Sequence, residues 1–196
     1  MIAIIDYGAG NLRSVGNLLD QIGAEYRVFQ NPDGIEQAAK IILPGVGQFG
    51  QMMSALDQRG FREPILQRIR AGTPFLGICL GLQALCASSE EAPEERGFGI
   101  FPVTVRRFSA DARVPHMGWN ELERRSESRL LAGLPERPYV YFANSYYVPE
   151  MDGIAAACQY AAPFTAVLEH ESVFGVQFHP EKSGATGRKI IENFIS

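Results

Sequence analysis

The sequence has no apolar run that approaches the ~20 residues needed to cross a lipid bilayer. Its first residues are apolar only from Met1 to Ile5 and then reach Asp6, so they lack the charged start and long apolar stretch of a secretory signal. These two absences predict a protein that makes no membrane contact and works in the cytoplasm.

Runs of like charge are also missing. The chain carries 18 Lys and Arg residues against 22 Asp and Glu residues, which gives a formal net charge of −4. Proteins that bind nucleic acid usually gather basic residues on one face or in one segment. We therefore expect no nucleic-acid partner.

Cysteine and histidine are scarce, with three of each in the chain. Cys79, Cys86 and Cys158 cannot all pair with one another, so we expect reduced thiols. None of the three has the close Cys or His neighbours that a structural zinc site requires, and we expect no metal site.

Short β-branched runs alternate with helical periodicity through the first half of the chain. Residues 1–6 (MIAIID) predict a strand, and apolar residues between Leu12 and Ile22 recur at helical spacing before Gly23. This alternation predicts an α/β fold with a mostly parallel sheet flanked by helices. The further elements predicted here are strands at 25–29, 40–43 and 73–78, a helix start at 31–33, and helices at 49–58 and 63–70.

The second half, from Phe98 onward, is rich in short strand-like runs separated by Pro, Gly and charged turns. One final helix is predicted near residues 187–195. No linker-like segment separates the two halves. At 196 residues, the simplest organisation is one domain, residues 1–196, built around one mixed sheet.

The segment 77–83 (GICLGLQ) places Cys79 where a buried strand gives way to a predicted helix that runs through Leu85. This pattern is typical of a nucleophile elbow, in which a sharp turn lifts the reactive side chain out of the sheet. A helix N-terminus there would favour the thiolate. Taken alone, the segment fits a buried structural cysteine equally well, and we expect Cys86, on the same predicted helix face, to be a core residue.

A second candidate segment, 175–181 (GVQFHPE), ends a predicted strand with His179 and places Glu181 two residues later. Pro180 disfavours a helical conformation at His179, so we expect an extended pair whose side chains point the same way. Glu181 could then accept from one ring nitrogen while the other faces a substrate. Alone, this segment also fits a surface turn. A nucleophile, a base and a group that orients the base are what acyl transfer through a thioester needs.

A third segment, 44–49 (PGVGQF), lies between a predicted strand and a predicted helix. Its glycines leave backbone N–H groups free, and those of Val46 and Gly47 together with that of Leu80 could form an oxyanion hole. The segment also fits a plain turn. The turn at residues 8–11 lacks the third glycine of a phosphate loop, and we interpret it as structural.

Taken in order, PGVGQF, GICLGLQ and GVQFHPE resemble the oxyanion strand, elbow and His-x-Glu segments of class I glutamine amidotransferases, and the resemblance covers nearly the whole chain. It implies the amidotransferase fold and a catalytic triad of Cys79 as nucleophile, His179 as base and acid, and Glu181 as its orienting group. It implies no organic cofactor. The residues that it implies for glutamine binding are Gly47, Gln83, Ser145 and Tyr146.

Within that family, segments 6–12, 114–120 (VPHMGWN), 141–146 and 179–184 resemble the glutaminase subunits of imidazole glycerol phosphate synthases. This resemblance implies a heterodimer with a (β/α)8-barrel cyclase that consumes the ammonia. Asn144 departs from the pattern, because such proteins usually carry His before the Ser-Tyr pair. The alternatives are a subunit of an anthranilate or aminodeoxychorismate synthase, a γ-glutamyl hydrolase, and a flavodoxin-like binding module with a structural Cys79.

Overall fold

The computed structural model describes all 196 residues, and strands and helices alternate along its first half. The elements of this half are β1 (Ile2–Ile5), α1 (Leu12–Ile22), β2 (Tyr26–Phe29), β3 (Lys40–Gly45), α2 (Phe49–Gln58), α3 (Arg62–Arg70), β4 (Phe75–Cys79) and α4 (Leu80–Gln83). Gly23 ends α1 with a left-handed φ of 76°.

The chain after α4 contains nine strands and one long helix. They are β5 (Cys86–Ser89), β6 (Phe101–Arg107), β7 (His116–Glu121), β8 (Glu123–Arg124), β9 (Tyr139–Asn144), β10 (Tyr146–Tyr147), β11 (Ile154–Gln159), β12 (Pro163–His170), β13 (Val173–Val176) and α5 (Gly184–Ile195). No helix is both long enough and apolar enough to cross a membrane.

The central sheet has eight strands in the order β2-β1-β3-β4-β13-β12-β11-β8. The first five of these are parallel to one another, and β12, β11 and β8 add an antiparallel edge. Two smaller sheets, β10-β6-β5 and the β7-β9 ribbon, lie outside it. The prediction of an α/β fold with a mostly parallel sheet is therefore confirmed, although the strands form three sheets and not one.

Both faces of the central sheet are buried under helices, as parallel strands require. Ile2 and Ile4 belong to one apolar cluster with residues of α1 and α5, whereas Ala3 and Ile5 belong to a second cluster with residues of α2, α3 and α4. The two clusters have 27 buried residues each, so neither face dominates the core.

Two helix predictions are wrong. The helix predicted to start at residues 31–33 is a single 3-10 turn at Ile35–Gln37. The helix after Cys79 ends at Gln83 and does not reach Leu85, because the N–H of Leu85 donates to the carbonyl of Leu82, only three residues back, and Cys86 then pairs with Phe101 of β6. Cys86 consequently begins strand β5 and is a buried strand residue.

The carboxyl ends of the parallel strands meet at one edge of the sheet. The chain leaves β3 at Gly45, β4 at Cys79 and β13 shortly before His179. In open α/β sheets this edge is where ligands bind, because the loops between strands and helices converge there. The three segments that the sequence identified therefore approach one another in space.

Candidate active site

Cys79 has a backbone conformation that side-chain-bearing residues rarely adopt, with φ 55° and ψ −106°. Such a conformation costs on the order of 1–3 kcal/mol and persists only where the surrounding structure enforces it. It turns the chain sharply from β4 into α4 and presents the thiol at the edge of the sheet, as a nucleophile elbow does.

Two glycines allow this turn by letting α4 pack directly against backbone. A Cβ on Gly77 would overlap the carbonyl of Gly81, and a Cβ on Gly81 would overlap the carbonyl of Leu43 in β3. No larger residue fits at either position without moving α4 away from the strands on which it packs. α4 has only four residues, so the helix-dipole contribution that we expected for the thiolate is small.

His179 and Glu181 form a buried pair beside Cys79, with 4% and 1% of their side chains exposed. Nδ1 of His179 donates to Oε1 of Glu181 at 2.9 Å, and Cys79 lies in the wall of the same cavity as the ring. Asn11 donates from Nδ2 to the same carboxylate oxygen at 3.1 Å. The turn at residues 8–11, which we interpreted as structural, therefore supplies a second donor that holds Glu181.

The expected extended geometry of this pair is wrong in one respect. His179 is extended, with φ −101° and ψ 99°, but Pro180–Lys182 form a 3-10 turn. Proline is tolerated at the first position of a helical turn because its missing N–H needs no partner there. The turn still brings the carboxylate of Glu181 back onto the ring of His179.

The electrostatics of the pair favour a protonated His179. Burial lowers the pKa of His179, but the hydrogen bonds and charges of Cys79 and Glu181 outweigh burial and raise it. Burial by itself would raise the pKa of Glu181, but the hydrogen bond and the charge of His179 outweigh burial and lower this pKa. The arrangement therefore suits an imidazolium that Glu181 holds in the wall of the cavity that Cys79 also lines.

Cys79 and His179 open into a cavity of about 290 Å³. Every predicted oxyanion and substrate-binding residue lies in its wall, whereas Glu181 lies behind His179. The lining residues that the sequence indicated are Val46, Gly47, Cys79, Leu80, Gln83, Ser145, Tyr146 and His179. The lining residues to which the sequence analysis assigned no role are Glu91, Pro115, Ala143, Asn144 and Lys182.

Of the unassigned lining residues, Glu91 has no motif around it. It follows β5 and reaches the cavity because its Oε2 accepts from the N–H of Phe49, at the start of α2, at 2.7 Å. Asn144 was noticed only as a departure from a family pattern; its Nδ2 donates to the carbonyl of Tyr146 at 3.0 Å and its Oδ1 has no partner.

The backbone of Val46 is held by a tyrosine outside the cavity. The N–H of Val46 donates to the hydroxyl of Tyr7 at 3.1 Å, and this hydroxyl donates to the carbonyl of Val46 at 2.9 Å. Burial is the main reason that the pKa of Tyr7 is raised to about 12. In this conformation the N–H of Val46 is therefore engaged and not directed at a substrate.

The other two cysteines are core residues. Cys86 and Cys158 are fully buried free thiols, and burial raises the pKa of each to about 12. A buried thiol with such a high pKa carries almost no nucleophilic thiolate at neutral pH. No group of three or more His, Cys, Asp or Glu side chains is arranged to hold a metal ion.

Comparison with known proteins agrees with this geometry. The family model described as glutamine amidotransferase class-I matches residues 3–196. The chain belongs to this family. Two solved structures share its fold with a TM-score of 0.78: a glutamine amidotransferase covering 100% of both chains at 18% identity, and PurLQS from Thermotoga maritima covering 99% and 96% at 19% identity.

Curated relatives of this class-I chain are closer in sequence. The imidazole glycerol phosphate synthase subunit HisH of Desulfitobacterium hafniense is 46% identical over 99% of this chain and 93% of its own length. The HisH subunit of Methanothermobacter thermautotrophicus is 46% identical over 100% and 98%, and that of Deinococcus radiodurans is 44% identical over 98% and 92%.

We predict that Glu181→Gln lowers the free energy of unfolding most between pH 4.5 and pH 6.5, the ordinary pKa values of the two partners. Because folding lowers the pKa of Glu181, its carboxylate stabilises the fold at pH values above its ordinary pKa, and this stabilisation is lost as the pH falls through the folded-state pKa. Because folding raises the pKa of His179, its imidazolium stabilises the fold at pH values below its ordinary pKa, and this stabilisation is lost as the pH rises through the folded-state pKa. We expect a loss of about 1–3 kcal/mol in that window.

Denaturant unfolding at a series of pH values measures this effect. Glu192→Gln is the matched control, because it breaks the exposed pair between Arg188 and Glu192. We expect that control to cost less than about 0.5 kcal/mol at any pH. A loss in Glu181→Gln that stays constant across pH would contradict the charged pair.

Proposed function

We propose that the chain is the glutaminase subunit of an imidazole glycerol phosphate synthase. It hydrolyses glutamine to glutamate and ammonia and passes the ammonia to a cyclase partner, which makes imidazole glycerol phosphate and aminoimidazole carboxamide ribonucleotide. The observation that carries the proposal is that Cys79, at a nucleophile elbow, and His179, hydrogen-bonded to Glu181, line one cavity. The HisH names of relatives at 44–46% identity support this particular synthase.

The chemistry follows from the paired charges. The thiolate of Cys79 attacks the carbonyl carbon of the glutamine side-chain amide and forms a tetrahedral oxyanion. His179, protonated and oriented by Glu181, gives its proton to the leaving nitrogen, so that ammonia departs and a γ-glutamyl thioester remains. His179 then takes a proton from water, which attacks the thioester and releases glutamate with the thiol.

The oxyanion needs donors at the elbow. The N–H of Leu80 follows the nucleophile, and Gly47, with φ 96° and open space around it, supplies a second N–H from the loop after β3. A contribution from Val46 requires its N–H to leave the hydroxyl of Tyr7. We therefore propose that Leu80 and Gly47 act first and that Val46 joins them only after a rearrangement of the 44–49 segment.

The cavity wall offers partners for the rest of the substrate. We propose that Gly47, Gln83, Ser145 and Tyr146 hold glutamine, as the family resemblance implies. Glu91 is the one Asp or Glu side chain in the wall. Because the α-ammonium of glutamine needs an anionic acceptor, we assign this role to Glu91, whose Oε1 makes no hydrogen bond within the protein.

An apolar patch beside the cavity fits a docked partner. Met117, Trp119 and Tyr139 on the β7-β9 ribbon have 66%, 55% and 55% of their surface exposed. The ribbon continues to Pro115 and Ala143, which line the cavity. A synthase subunit seated there would cover the site and shield ammonia from protonation in bulk water. We propose a heterodimer with a (β/α)8-barrel cyclase at this face.

Two other functions have weaker support. A subunit of an anthranilate or aminodeoxychorismate synthase would have the same site, but relatives at 44–46% identity bear the HisH name. A γ-glutamyl hydrolase would have no need of a docking patch beside its cavity.

We propose the cytoplasm as the location of the protein, because its three free thiols fit a reducing compartment.

We predict that the purified chain forms glutamate from glutamine faster with the imidazole glycerol phosphate cyclase subunit and its nucleotide ligand than without them. Cys79→Ala should lower this rate by about 10⁴-fold or more, because only the nucleophile is lost. Cys86→Ala is the matched control and should retain the rate, since Cys86 is buried away from the cavity. Stimulation only by an anthranilate-type synthase subunit would contradict the assignment.

For the α-ammonium site, Glu91→Gln should raise the KM for glutamine about 10–100-fold with a much smaller change in kcat, as expected when one charged hydrogen bond is lost. The variant keeps an oxygen acceptor for the N–H of Phe49. Glu90→Gln is the control, because Glu90 accepts from the N–H of Arg107 outside the cavity. An unchanged KM in Glu91→Gln would remove Glu91 from the substrate site.

A further inference from the structure

Two buried glutamines connect the sulfur of Cys79 to the wall of the substrate cavity. Gln177, fully buried in the segment between β13 and His179, donates from Nε2 to Sγ of Cys79 at 3.6 Å. Its Oε1 accepts from Nε2 of Gln83 at 3.2 Å, and the same Nε2 donates to the carbonyl of Tyr146 at 2.9 Å. The chain of contacts therefore runs from a backbone carbonyl to the nucleophile.

The carbonyl of Tyr146 fixes the donor and acceptor of every hydrogen bond in this series. A carbonyl oxygen can only accept, so the amide of Gln83 must turn its NH₂ group toward Tyr146. That NH₂ group then faces the side-chain oxygen of Gln177, which leaves the NH₂ of Gln177 facing Cys79. The sulfur therefore receives an N–H, which favours the thiolate because an anion accepts a hydrogen bond more strongly than a thiol does.

We infer that Gln177 is a donor to the reacting sulfur and that Gln83 is a positioning residue acting through it. His179 shares the cavity wall with Cys79, whereas Gln177 reaches the sulfur from a buried side where no water competes. Cys79 has only four helical residues after it, so side-chain donors replace the helix-dipole support that a longer helix would give.

The side-chain oxygen of Gln83 connects this series of hydrogen bonds to the substrate cavity. Nε2 of Gln83 is occupied by Tyr146 and Gln177, whereas Oε1 makes no hydrogen bond within the protein and the residue lines the cavity. Oε1 is thus available to a donor on the bound glutamine. A bound substrate would hold Gln83 in the orientation that keeps the N–H of Gln177 on the sulfur.

The thiolate titration of Cys79 tests this inference in the absence of glutamine and partner. The inference rests on the proposed role of Cys79, but the titration is independent of glutaminase activity. Ultraviolet thiolate absorbance and the pH profile of iodoacetamide alkylation at Cys79, read by peptide mass spectrometry, give the midpoint. We expect Gln177→Met to move the midpoint upward by about 1 pH unit, the effect of one charged hydrogen bond.

The control is Thr165→Val, which removes a different buried hydrogen bond, from Thr165 to the carbonyl of Pro149 at 2.8 Å. That variant should leave the midpoint in place. Gln177→Asn keeps the buried amide but is one methylene too short to reach the sulfur, and it should show the same upward shift if Gln177→Met fails to fold. An unchanged midpoint in either folded Gln177 variant overturns the inference.

Gln83→Met separates the positioning role from substrate binding. We expect it to raise the midpoint in the wild-type background and to add nothing in the Gln177→Met background, because its effect on the sulfur passes through Gln177. Additive shifts in the double variant would show that Gln83 reaches Cys79 by another route, and they would overturn its role as a positioning residue for Gln177.

Discussion

The positive φ of Cys79 at the end of β4 is the constraint on which the rest of the site depends. It directs the thiol away from the strand and toward the carboxyl edge of the sheet, where β3 and β13 deliver their own segments. The turn is possible because Gly77 and Gly81 allow backbone to touch backbone. Its cost of about 1–3 kcal/mol is small beside the apolar burial on both faces of the sheet.

Buried charges are stable at this edge because they are paired. Oε1 of Glu181 accepts from His179 and from Asn11, so the carboxylate and the imidazole hold each other. A buried ion without such partners would lose its charge, because desolvation in the interior is costly. The hydrogen bonds that orient His179 and Glu181 are therefore formed before any substrate arrives, as preorganised catalysis requires.

Much of this structure could be predicted from sequence, but only where the signal is local. Gly23 marks the end of α1, and the glycines around Cys79 mark the elbow. The early end of α4 could not be foreseen, because it depends on Cys86 pairing with Phe101 of β6, a partner that lies outside the local segment. Contacts such as that of Asn11 with Glu181, 170 positions apart, exist only once the sheet has formed.

In the proposed mechanism, Cys79 forms a covalent bond to the glutamine side chain during turnover. Rapid acid quench of the chain with glutamine and its cyclase partner, followed by peptide mass spectrometry, detects that bond. We expect a γ-glutamyl adduct on the peptide that contains Cys79 and on no peptide that contains Cys86 or Cys158. Steady glutamate formation with an adduct on another residue, or persisting undiminished in Cys79→Ala, would contradict it.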